Sequence, residues 1–179
     1  MSTIQGLDSL YSKLNSMNEE ILKCLQKSVL KETKVVQGIA KMNCPANHGE
    51  LRQSIHAMTE YTEQGVCGIV YTNKKYATYV EFGTGPKGQQ NHEGISPNVE
   101  IAYSNKGWAF PADGIPQADA EKYGWPERMY DGQKYYLTSG QAAQPFMYPA
   151  LKNYEETAKR NITKDINKFL KGYEAKWLM

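Results

Sequence analysis

Cysteine is scarce in this chain and charge is nearly balanced: 179 residues hold three cysteines and a formal net charge of +2. Cys24, Cys44 and Cys67 are odd in number and widely spaced, which argues against a disulfide framework and for thiols in a reducing compartment. Cys44 and His48 stand four apart, but no second pair with zinc-like spacing completes a metal set. A balance of +2 is too small for a dedicated nucleic-acid face. Long hydrophobic runs are missing too; none nears the ~20 residues of a membrane span. Met1–Gly6 has no basic region leading into an apolar block, so no signal peptide is expected. What is present is ordinary globular composition, 40% hydrophobic and 22% charged, enough for one domain with a real core.

The charges are unevenly spread. Residues 1–42 carry six Lys against four acids, 150–179 seven Lys or Arg against four, and 43–149 eight basic residues against eleven acidic. Solvated helix faces explain this pattern; sign complementarity between copies is the alternative.

Periodicity then gives elements. Leu7, Leu14, Ile21, Ser28 and Val35, flanked by Ile4, Tyr11, Leu25 and Ile39, form one stripe, so a long helix is predicted from the N-terminus to about residue 42. Asn18, Ser28 and Glu32 read as polar breaks in it. Leu51–Tyr61 is predicted as a strand, with Leu51, Gln53, Ile55 and Ala57 on one face. Gly65–Tyr71 pairs with it through a turn near Glu63-Gln64-Gly65. Tyr76–Phe82 fits a helical turn or two, with Gly83 placed to cap it in a left-handed conformation. Residues 85–134 hold five of the eight prolines. Trp108–Pro111 and Tyr135–Thr138 read there as strand fragments of an extended arm with a tip at Ala112–Gly132. The arm's aromatic residues either fold it onto itself or dock it on a neighbour. A last helix is predicted from about Pro149 to Leu170, with a stripe of Leu151, Tyr154, Ala158, Ile162, Ile166, Phe169 and Leu170. The apolar end Trp177-Leu178-Met179 is expected to dock.

No set of residues orders a reaction. There is no Gly-x-Ser-x-Gly elbow, and His48, His56 and His92 lie in three unrelated contexts. Gly83-Thr84-Gly85-Pro86-Lys87-Gly88 lacks the spacing of a phosphate loop and follows a helical turn instead of clearly opening a helix. Glu81 is the one carboxylate in an apolar setting. A buried acid there either acts in catalysis with a raised pKa or accepts hydrogen bonds that fix a turn. No enzyme, metal or cofactor is expected.

Two strings exceed generic packing: Tyr76-Ala77-x-Tyr79-Val80-Glu81-Phe82-Gly83-Thr84-Gly85, and Gln144-Pro145-Phe146-x-x-Pro149-Ala150-Leu151. Cys44-Pro45 and Gly49-Glu50-Leu51-Arg52-x-Ser54-Ile55 precede them in order. This arrangement resembles the gene-product-ten-like family of neck, or head-to-tail connector, proteins of long-tailed bacteriophages and prophages. The resemblance covers roughly residues 1–84 and 140–171; the family has a variable loop between them, and the 85–139 insertion here is long, so its role does not transfer. Asn47-His48-Gly49-Glu50 also departs from the Thr-Gly-type turn frequent in the family.

The resemblance implies an α+β fold, a small curved antiparallel sheet packed by a long N-terminal helix and a C-terminal helix. The chain would be a single 1–179 domain with an inserted arm at about 85–139. It also implies a structural virion protein at the head–tail junction, assembled in the host cytoplasm. Identical subunits, six or twelve, would form a ring around passing double-stranded DNA, with no sequence-specific contact and no membrane. The ring would lie between a head-closure connector and the tail terminator or tail tube. Tail completion, tail termination and a prophage-encoded enzyme are the other readings. The motif positions Leu51, Arg52, Ser54, Ile55, Tyr76, Ala77, Val80, Glu81, Phe82, Gly83, Thr84, Pro145, Phe146, Pro149, Ala150 and Leu151 would then be structural. Trp108, Phe110, Tyr123, Trp125, Tyr130 and Trp177 are the candidate interface residues, because Tyr and Trp bury large areas with few rotors.

Overall fold

The structure, a computed structural model, describes residues 7–45 and 49–177, with side chains described between residues 12 and 173. The readings at Ile4, His48 and the final Leu178-Met179, and the side chains of Leu7, Tyr11 and Trp177, lie outside that description. The chain is an α+β protein that divides into two compact units: Met1–Asn73 with Ala150–Met179, and Lys74–Pro149. The arm expected at about 85–139 is thus part of a larger folded unit that begins eleven residues earlier.

The first unit is built on helix α1 (Leu7–Asn43). Its buried positions, Val29, Thr33, Val36, Ala40 and Cys44, recur at three- and four-residue steps, the period of one helical face. The stripe is rotated from the predicted one: Val35 is exposed, whereas Ser28 and Glu32, expected as breaks, are buried. Helix α2 (Glu50–Gln53) replaces the predicted beginning of the first strand. Gly49, with φ 79°, turns the chain into it, and Ser54 ends it by donating its hydroxyl to the Leu51 carbonyl at 2.8 Å. Leu51 is therefore buried from a helical turn and does not alternate with Ile55.

Strands β1 (Ile55–Thr62) and β2 (Gly65–Thr72) form an antiparallel hairpin from Ile55↔Thr72 to Thr62↔Gly65, closed by a two-residue turn. One face lies on α1. A Cβ at Gly68 would collide with the Thr33 hydroxyl and press on Val29, so glycine is what lets this strand approach the helix.

Later in the chain come helices α3 (Ala77–Phe82) and α4 (Gly85–Gln90), β3 (Trp108–Pro111), α5 (Gln117–Tyr123), β4 (Glu127–Tyr130) and β5 (Gln133–Thr138). The strands make an antiparallel sheet in the order β3-β5-β4. The two predicted fragments pair, Trp108↔Thr138 through Pro111↔Tyr135. The tip expected at Ala112–Gly132 is not a loop; it holds α5 and β4. Gly85-Pro86 opens a short helix, contrary to the reading that no helix begins there. Extended Thr84 precedes it, and Pro is accepted in a first turn that has no internal N–H partner to lose.

The predicted final helix is two helices, α6 (Tyr148–Lys152) and α7 (Glu155–Trp177). At the break the Tyr154 N–H returns to the Leu151 carbonyl at 3.1 Å, an i−3 closure that tightens the last turn. Leu151 consequently leaves the stripe and is exposed, while Tyr154, Ala158, Ile162, Ile166, Phe169 and Leu170 remain half-buried. α7, with Tyr154 just before it, packs on α1 through polar groups. Ser28 Oγ donates to Asp165 at 2.9 Å, and Tyr154 OH and Asn161 Nδ2 donate to Glu32 Oε2 at 2.7 and 3.0 Å.

Candidate functional site

Glu81 organises the second unit. It sits on α3, only 6% exposed, and both carboxylate oxygens are engaged. Oε2 accepts the backbone N–H of Phe146 at 2.7 Å and of Met147 at 2.9 Å; Oε1 accepts that of Tyr148 at 2.9 Å. These N–H groups enter α6, where a helix has donors without internal partners. The next residue, Pro149, has no N–H to satisfy. One carboxylate and one proline thereby account for four successive positions. Of the two roles open to Glu81 in the sequence, fixing a turn is the one this geometry performs.

The backbone around Glu81 reinforces the clamp. Gln144 N–H donates to the Val80 carbonyl at 2.8 Å, and Gln141 Nε2 donates to the Tyr79 carbonyl at 2.7 Å. Thr84 N–H donates to the Gln141 carbonyl at 2.9 Å, and Tyr103 OH donates to the Phe82 carbonyl at 2.7 Å. Gly83 ends α3 with φ 75° and ψ 179°. The positive φ agrees with the expectation, but ψ places it outside the left-handed helical region, in extended geometry that suits glycine alone. A Cβ there would lie 2.7 Å from Ala143 N and 2.8 Å from the Gln141 carbonyl oxygen.

The remaining motif residues differ in their settings. Ile55, Phe146 and Ala150 are fully buried, and Ala77 is buried. Arg52 donates to the Cys44 carbonyl at 2.9 Å, and the hydroxyls of Ser54 and Thr72 lie 2.6 Å apart. Pro145 and Thr84 are half-buried, whereas Tyr76 is exposed beside Tyr79 and Trp108 along a groove of about 670 Å³.

The candidate interface residues separate into two groups. Phe110 and Trp125 meet edge-on at 5.0 Å and pack with Ile115 around Ala112, Ala120 and Tyr136, so they hold the arm's own core. The arm folds onto itself there, with both rings still half-buried. Tyr123 stacks on Trp125 at 5.0 Å with its other side exposed, and Trp108 and Tyr130 are exposed. Trp177 lies in the last turn of α7.

Sequence reasoning missed Ser28, Glu32, Asn161 and Asp165, the polar seam of α1 and α7. The available signal was the four-residue step from Ser28 to Glu32 on the buried face. Glu32 is pushed up by burial, but hydrogen bonds from Asn161 and Tyr154 and the nearby Lys31 ammonium outweigh this and hold it below the usual carboxylate range. Asp165 is lowered by the Ser28 hydroxyl and then by Lys31.

His56 is exposed beside Tyr71, and His92 stacks on Tyr103 at 5.8 Å. Among the described residues, no three His, Cys, Asp or Glu side chains gather to hold a metal ion. Among the described residues, Cys24, Cys44 and Cys67 form no disulfide. No described helix is long and apolar enough to cross a membrane.

No curated protein and no solved structure matches the chain significantly. One family model does match: HK97-gp10-like, described as "Bacteriophage HK97-gp10, putative tail-component", over residues 8–83. The matched segment runs from α1 through the hairpin and α3 to Gly83, and so takes in the first motif string up to Gly83 and the Glu81 side of the clamp. Over this segment, somewhat less than half of its length, the chain is similar to the HK97-gp10-like family of phage tail components.

Proposed function

We propose that this protein is a structural subunit of the phage neck, forming a homo-oligomeric ring that joins the DNA-filled head to the tail and surrounds the DNA channel. The observation that carries the reading is the family match over α1, the hairpin and α3, with Glu81 spent on holding backbone. Its partners are copies of itself, a head-closure connector and a tail terminator or tail tube, and its place is the virion. No turnover is involved. Shape and stoichiometry do the work, because one weak contact repeated around a ring gives avidity beyond any single affinity.

A deletion examined by electron microscopy tests this. Filled heads and polymerised tails should accumulate unjoined, whereas normally joined virions would overturn the proposal. The family's description as a tail component favours a second position, tail completion or termination. Purified heads and tails from a joining-defective strain separate the two: the protein remains on heads in the first case and on tails in the second. Hydrolytic activity lost in a folded Glu81→Gln variant would favour the enzyme reading.

A further inference from the structure

The β1–β2 hairpin has two open edges. No other strand pairs with either among the described residues. The two-residue turn makes Thr62↔Gly65 a hydrogen-bonded pair, and pairs alternate from there along the ladder. Peptide groups therefore point away from the partner strand at Ala57, Thr59 and Tyr61 on β1, and at Val66, Gly68 and Val70 on β2. Ile55 follows the same phase, and its outward carbonyl accepts Gln37 Nε2 at 2.7 Å.

β2 is an unprotected edge. Its sequence, Gly-Val-Cys-Gly-Ile-Val-Tyr-Thr, has no charge and no proline, and its register runs unbroken through all eight pairs. Natural edge strands are usually blunted by Lys, Pro or a bulge, because an open apolar edge pairs with another chain. We infer that β2 of one copy adds to the β1 edge of the next, so that the hairpins form one continuous sheet around the assembly.

The occupant is argued from the hairpin itself. β1 and β2 are equally long, eight residues each, and each offers the same alternate outward groups. β2-to-β2 pairing would stop at a dimer and leave every β1 edge open. Head-to-tail addition fills both edges of every copy and closes when the rotation permits. The inference rests on the proposed ring and names the surface that makes it.

The test uses the full chain and two proline variants. Val70 and Thr59 direct their N–H groups outward, so Val70→Pro and Thr59→Pro leave the hairpin's own ladder intact. Each variant alone should keep its circular dichroism and lose the oligomer by native mass spectrometry. Mixed, they should form one-to-one heterodimers, because each retains the edge the other lacks. In the unaltered oligomer, the outward amides of Val66, Gly68 and Val70 should exchange at least tenfold more slowly than in diluted monomer. Rings from either variant alone, homodimers of Thr59→Pro, or an oligomer whose outward amides exchange freely would overturn the edge and leave the ring standing. Protection of these amides only on adding a different virion protein would overturn the choice of occupant. A chain that stays monomeric at every concentration would overturn both the ring and its edge.

Discussion

Glu81 shows how much one side chain can organise. Removing its carboxylate strands three N–H groups, that of Phe146 buried and those of Met147 and Tyr148 part-buried, where a buried orphan donor costs about 1–3 kcal/mol. Glu81→Ala should therefore lower stability by about 2 kcal/mol or more, and Glu81→Gln by less, because the amide keeps one accepting oxygen. Urea unfolding of both variants measures this; equal stability of Glu81→Ala and the unaltered protein would contradict it. Gly83 is the companion case. Its φ of 75° and the 2.7 Å approach to Ala143 N leave no room for a side chain. Gly83→Val should cost about 2 kcal/mol or more, read as a fall in the thermal midpoint. The need for glycine was legible in the sequence because Gly83 follows a short apolar helix. Its ψ was not, because that angle is set by Gln141 and Ala143, almost sixty residues away in the chain.

At the scale of elements, periodicity located the two long helices and missed the buried face of the first. Ser28 and Glu32 interrupt an apolar stripe when only Leu, Ile and Val are counted as buried. They belong inside because α7 supplies Asp165 and Asn161, and the turn before it Tyr154, to satisfy them. A sequence read one helix at a time does not contain that pairing. The strand assigned from Leu51 failed for a related reason: Ser54 bonds back to Leu51 and closes a helical turn before the extended run begins.

The polar seam also predicts a pH response. Glu32 and Asp165 are held below their ordinary values in the folded protein. The unfolded chain thus binds their protons at higher pH than the folded one does. Their contribution is complete above the unfolded pKa of about 4, and it drains away as pH falls through the folded values. Stability of the unaltered protein should fall more steeply between about pH 5 and pH 2 than that of a Glu32→Gln, Asp165→Asn double variant. Urea midpoints across that interval check it. Parallel curves would show that the seam does not titrate as described.

For the whole molecule, the hairpin-like arm with its strands at Trp108–Pro111 and Tyr135–Thr138 was visible in composition and alternation. What composition concealed was that the arm has a core of its own. Phe110, Trp125 and Tyr136 close on one another, with centroids 5.0–6.3 Å apart, so these aromatics are largely consumed within the subunit. The free protein should accordingly show slow amide exchange in β3 and β5 before any assembly. Exchange there as fast as in an unfolded peptide would return Phe110 and Trp125 to the role of partner-dependent contacts. Trp108 and Tyr130 stay exposed, and under the proposed ring they are arm residues whose environment should change when copies meet.

The clamp has one more consequence, for the length of chain it encloses. Glu81 and the Thr84↔Gln141 bridge hold together two points of the backbone that are far apart in sequence. The entropy of closing such a loop depends on the logarithm of its length, so a fivefold change in the enclosed segment alters the closure term by only about 1.4 kcal/mol. A base anchored by three charge-assisted hydrogen bonds can absorb that difference. The segment between its two anchor points is therefore free to grow, shrink or be exchanged without breaking the clamp, a socket that would accept different inserts on an unchanged mount.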